Sequence, residues 1–142
     1  MSEKIKNTLV EKINNSQWWH VTPQDSDAYK KRGKFLSSTY RRAEFYGRPN
    51  DIPEKVSISN PVYGKEIEIL KHLFPNEHKT LYKTVANDCS SNWYINRINL
   101  DAKMYKKAKE LGYDSIVVVG SSGKKLLTKS RKPHSIELNI FI

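Results

Sequence analysis

The hydrophobic positions of this chain change spacing several times between its ends, and each change predicts an element. Ile5, Leu9 and Ile13 recur at helical intervals behind Ser2 and Glu3, with charged residues between them, which predicts a helix over residues 1–16 packed as a lid on the core. Gln17 to Thr22 reads as a short aromatic strand stopped by Pro23, and Gln24 to Gly33 as a polar connection. Lys34 to Ser38 is a second strand, after which Thr39 caps a helix from Tyr40 to Tyr46 that Gly47 and Pro49 end. Val56 and Ile58 alternate with Lys55, Ser57 and Ser59 in a third strand, terminated by Pro61.

Beyond Pro61 the spacing turns helical. Gly64 to Phe74 carries Ile67, Leu70 and Phe74 on one face, and Leu100 to Leu111 carries Met104, Ala108 and Leu111, with Asp101 near its start and Gly112 as its stop. Between them, Asn76 to Trp93 sends conflicting signals, because the polar run Asn87 to Asn92 interrupts Leu81, Tyr82 and Val85. The apolar run Ser115 to Val119 predicts a strand covered on both sides. A turn over Gly120 to Lys125, strand residues Leu126 to Thr128, a basic loop over Lys129 to Pro133 and a closing strand Ile136 to Ile142 complete the chain. Strands and helices mix without a regular strand-helix-strand rhythm, so the expected class is α+β: a pair of packed, mainly antiparallel sheets with peripheral helices, in a single domain spanning residues 1–142.

Composition narrows the function. Hydrophobic residues make up 37% of the 142, enough for one packed core, and Lys and Arg outnumber Asp and Glu by 25 to 15, for a formal charge of +10. Such a surface draws phosphates and acidic partners toward it. A single cysteine, Cys89, leaves no internal disulfide and no cysteine cluster for zinc. Without a signal-peptide or transmembrane stretch, the expectation is a cytoplasmic protein with no membrane partner. His72, His78 and His134 are dispersed without helical pairing, so no metal site is expected. The run GSSGKK from Gly120 to Lys125 evokes a phosphate loop, but the first glycine of that motif would fall on Val118 and its final hydroxyl residue on Lys125.

Four residues in order carry a family resemblance. His20 lies in WWHVT, Phe35 in GKFLSS, Tyr46 in AEFYG and Glu137 in SIELNIF, with VSISNP and GYDSIVV between them. This set resembles the ADP-ribosyltransferase superfamily, in its His-Tyr-Glu branch shared by diphtheria-toxin-like enzymes and poly(ADP-ribose) polymerases. The chain departs from the common pattern at Val21, where many relatives have glycine, at Phe35, where many have tyrosine, and at Ser135, which is neither Glu nor Gln and gives no support for the arginine-modifying branch. The resemblance implies NAD as co-substrate. It implies that His20 meets the adenosine ribose, that the backbone of Val21 meets the nicotinamide carboxamide, and that Phe35 and Tyr46 stack on the nicotinamide. It also implies that Glu137 holds the 2′-hydroxyl of the nicotinamide ribose. Thr22 and Ser37 offer hydroxyls beside these positions.

That chemistry suits these residue types. Breaking a ribose–nicotinamide bond generates an oxocarbenium-like centre, which a nearby carboxylate opposes, while planar rings strip the nicotinamide of water and fix its angle. The expectation is a mono-ADP-ribosyltransferase acting on a macromolecular acceptor, protein or nucleic acid, with release of nicotinamide. Small size and lack of an appended targeting domain suit a phage or toxin-type effector by analogy. Two alternatives stand beside it: a non-enzymatic nucleic-acid-binding domain stacking bases on Trp18, Trp19 and Trp93, and an NAD-dependent RNA 2′-phosphotransferase.

Overall fold

Leu9 and Ile13 are fully buried in the first helix, α1 (Glu3–Asn14), and they seat it on a sheet whose inner side is built from Leu36, Val117, Val119, Ile136 and Leu138. The description that follows is of a computed structural model and covers residues 3–86, 91–120 and 136–141. The predicted turn over Gly120 to Lys125, beyond Gly120 itself, lies outside the described residues, as do Leu126 to Thr128, the Lys129 to Pro133 loop, His134, Ser135 and Cys89.

The elements after α1 are β1 (Trp19–His20), α2 (Ala28–Arg32), β2 (Lys34–Ser37) and α3 (Tyr40–Ala43), followed by a 3-10 turn (Glu44–Tyr46). Then come β3 (Pro61–Gly64), α4 (Glu66–Leu73), α5 (His78–Ala86), α6 (Trp93–Glu110), β4 (Ser115–Val119) and β5 (Ile136–Ile140). The class is α+β. The described strands join in one five-stranded sheet of order β1-β2-β5-β4-β3, rather than in two packed sheets. Its pairings are antiparallel except for β3 with β4, which run parallel. The closing strand therefore sits in the middle of the sheet, between β2 and β4.

Both faces of the sheet are covered. The α1 face also takes Trp18, Val56 and Ile58. The other face receives α4, α5 and α6 through Ile69, Leu70, Leu73, Val85, Leu100, Met104 and Ala108, packed on Val62 and Ile116. Alternation of side chains along β4 explains how one apolar run serves both layers, as its sequence predicts: Ile116 points to the helices and Val117 to α1.

Several boundaries differ from the sequence reading, each for a local reason. The aromatic strand shrinks to two residues, because Trp18 instead exchanges backbone hydrogen bonds with Glu54, at 2.8 and 2.7 Å. The polar connection contains α2, which buries Ala28 and is braced by the Asp25 carboxylate accepting from the Asp27 N–H at 2.9 Å. The expected Val56 to Ser59 strand does not form. Its backbone groups are taken by side chains: Asn14 donates to the Ile58 carbonyl and accepts from its N–H, both at 2.9 Å, and Asp114 accepts from the N–H groups of Ser59 and Asn60. Pro61 opens β3 instead of ending a strand, which the first residue of an edge strand tolerates. The helix expected from Leu100 starts at Trp93, so Asp101 lies within it and Leu111 falls outside the buried face.

Candidate active site

Thr39 does what its position predicts. Its side chain accepts from the Arg42 N–H and starts α3, and the 3-10 turn after it swings Tyr46 back toward the sheet. Gly47 follows with φ of +141°, and a β-carbon there would stand 3.0 Å from the Val21 side chain. Only glycine lets the chain pass so close to Val21 in that conformation.

The turn delivers the central contact of the site. The Tyr46 hydroxyl donates to Glu137 Oε2 at 3.0 Å, joining residues 91 apart in the chain. Burial pushes the Tyr46 phenol well above its ordinary value, and the Glu137 charge and hydrogen bond push it further, so Tyr46 remains the donor. On the sheet, Ser37 pairs directly with Glu137, and Phe35 lies two residues away on the same face of β2. Phe35, Ser37 and Glu137 thus share a face, with Tyr46 reaching over it. Phe35 makes no ring contact with Tyr46; the rings set edge-on to Phe45 are Tyr46 and Trp93, with centroids 5.2 and 6.4 Å away.

His20 is placed apart from this group. It pairs with Leu36, and alternation puts both on the face opposite Ser37 and Glu137. Burial lowers its pKa, against a smaller opposing effect from the Phe35 carbonyl, and so favours the neutral imidazole. Nδ1 then carries the proton donated to the Phe35 carbonyl at 2.7 Å, and Nε2 accepts from the Tyr29 hydroxyl at 2.8 Å. Both ring nitrogens are engaged by the protein itself, so the contact with a ribose that the resemblance assigns to His20 has no free atom to make it. Val21 lies against Gly47, and the Thr22 hydroxyl is committed to Asn50 at 3.2 Å.

No family model, no curated protein and no solved structure matches this chain.

The sequence reading missed an ionic cluster beneath Tyr46. Arg97 of α6 donates to both oxygens of Glu66 in α4, at 2.8 and 2.9 Å, and to Asp101 one turn along at 2.7 and 3.0 Å. Burial works against the Arg97 charge, but its two carboxylates outweigh that and push its pKa up. Asp101 is raised to about 6, because the cost of burying it exceeds what Arg97 returns and Glu66 repels it as well. The spacing of Arg97 and Asp101, four apart on one helix, was the available signal. Among the described residues there is no group of His, Cys, Asp or Glu arranged to hold a metal ion, and no helix long and apolar enough to cross a membrane.

Proposed function

We propose that the chain is a mono-ADP-ribosyltransferase that cleaves NAD and passes ADP-ribose to a macromolecular acceptor. The observation that carries this reading is the hydrogen bond between Tyr46 and Glu137, which sets a ring and a carboxylate side by side on the face shared with Phe35 and Ser37. In the reaction, the bond between ribose C1′ and the nicotinamide nitrogen breaks, its electron pair leaving with nicotinamide. The acceptor's nucleophilic atom then bonds to C1′ and gives up its proton. Glu137 holds the ribose 2′-hydroxyl and opposes the charge that develops on the sugar. Tyr46 fixes the carboxylate's direction and offers a ring face to the nicotinamide, with Phe35 as the second ring. His20 takes no ligand in this reading. It is a positioning residue, whose proton on Nδ1 ties β1 to the backbone of β2.

The test incubates the protein with NAD labelled on adenine, in a cell lysate, for wild type and Glu137→Gln. Labelled macromolecule and free nicotinamide from wild type, both lost in the variant, are the expected result. Equal product from both removes Glu137 from the mechanism, and no nicotinamide from either removes the transferase reading.

Of the tryptophans in the stacking alternative, Trp18 is 0% exposed with its indole N–H given to the Ile13 carbonyl, whereas Trp19 and Trp93 are half-buried.

A further inference from the structure

Phe45 stands 73% exposed, one residue from the tyrosine that touches Glu137. Among the described large apolar side chains only Ile52, at 78%, is more exposed. It lies in the 3-10 turn, with its ring edge-on to those of Tyr46 and Trp93. The same short stretch, RRAEFYGR, carries Arg41 one helical turn before Phe45 and Arg48 three residues after it. Both arginines are exposed, and neither has an ion-pair or hydrogen-bond partner through its side chain among the described residues. Glu44 is the only acidic residue in that stretch. An exposed ring with unpaired arginines four residues before it and three after it, on a chain of formal charge +10, complements a ligand that alternates flat apolar groups with phosphates.

Resting on the transferase reading, we propose that Phe45, Arg41 and Arg48 form the acceptor-docking surface, and that the acceptor is single-stranded nucleic acid. An unpaired base stacks on Phe45 while its flanking phosphates lie along the two arginines. A duplex would not serve, since its bases are already stacked on each other. Stacking on Phe45 brings the neighbouring nucleotide beside Tyr46 and Glu137. There a nitrogen or oxygen of that nucleotide bonds to ribose C1′ and releases its proton to solvent, as neutral nicotinamide departs with the electron pair of the broken bond.

Binding and transfer are measured separately, on the intact chain. Fluorescence anisotropy with short single-stranded DNA and RNA, without NAD, compares wild type, Phe45→Ala, Phe45→Trp and the Arg41→Gln/Arg48→Gln pair over a range of salt. Phe45→Ala is expected to bind about fivefold to a hundredfold more weakly, with Phe45→Trp restoring affinity. The double arginine variant is expected to lose about 1.4 from the slope of log affinity against log salt. Thermal melting confirms that each exposed substitution leaves the fold intact. Equal binding by wild type and Phe45→Ala overturns the surface. The same oligonucleotides are then given with labelled NAD, and nicotinamide release is read in the same tube. Labelled strand supports the proposal, with DNA against RNA naming the sugar preferred. Nicotinamide released with label only on lysate protein overturns the proposal and leaves the transferase reading standing, whereas no nicotinamide from any mixture overturns both.

Discussion

The two faces of the sheet are built on different terms. On the α1 side, β2, β4 and β5 present Leu36, Val117, Val119, Ile136 and Leu138, all buried against Leu9, Ile13 and Trp18. On the other side Val62 of β3 and Ile116 of β4 meet the helices, while β2 and β5 carry Phe35 together with the polar Ser37, Glu137 and Asn139. Polar groups there are costly to cover: Tyr46 donates to Glu137 and the Asn139 amide N–H to the Arg32 carbonyl, while the buried Asn139 Oδ1 has no partner among the described residues. In β2 and β5 the even-numbered residues Leu36, Ile136 and Leu138 thus pack the α1 layer, and the odd-numbered ones carry the polar groups. Alternation makes the two separable by substitution.

The largest effect is expected on the apolar side. Leu138→Ala, at a position 1% exposed, should lower unfolding stability by about 2 to 5 kcal/mol in urea titrations. A smaller loss would mean that the α1 layer is not the main support of the sheet. One residue earlier on the opposite face, Glu137→Gln should leave the urea midpoint almost unchanged and cut nicotinamide release by about 100-fold to 1,000-fold. A large stability loss there, with turnover intact, would reverse the division of labour between the faces.

The third prediction is about pH. The folded protein keeps a proton on Asp101 up to about 6, while the unfolded chain releases it near the ordinary 3.8, so this group's contribution to stability falls as pH rises through that window. The fall is read from urea midpoints between pH 4 and 7. Asp101→Asn should flatten that slope; an unchanged slope would place the titration elsewhere. The smallest effect belongs to Tyr46→Phe, which removes one hydrogen bond worth about 0.5 to 1.5 kcal/mol while keeping the ring. Its expected signature is a modest change in stability, with turnover reduced less than in Glu137→Gln.

The elements legible in the sequence are those whose signal was local. Thr39 caps α3, Ser115 to Val119 alternates between two layers, and Gly112, at φ of +89°, stops α6. What escaped was decided over distance. Val56 and Ile58 alternate as a strand should, yet no strand pairs with them, because the side chains of Asn14 and Asp114 reach that backbone first. The helix α2 holds a single buried residue, Ala28, too little for an apolar period. At the site, Tyr46 and Glu137 could be named from their motifs and the structure sets them 3.0 Å apart. His20 illustrates the limit: a motif names the residue, but strand register decides which face it occupies.

The placement of β5 bears on how such a chain matures on the ribosome. Until Ile136–Ile140 emerges, β1 with β2 and β3 with β4 are two separate ribbons, because the strand that bridges them is the last of the five in sequence. Glu137 rides on that bridging strand, so its pairing with Ser37 and its hydrogen bond with Tyr46 form only once β5 has docked between β2 and β4.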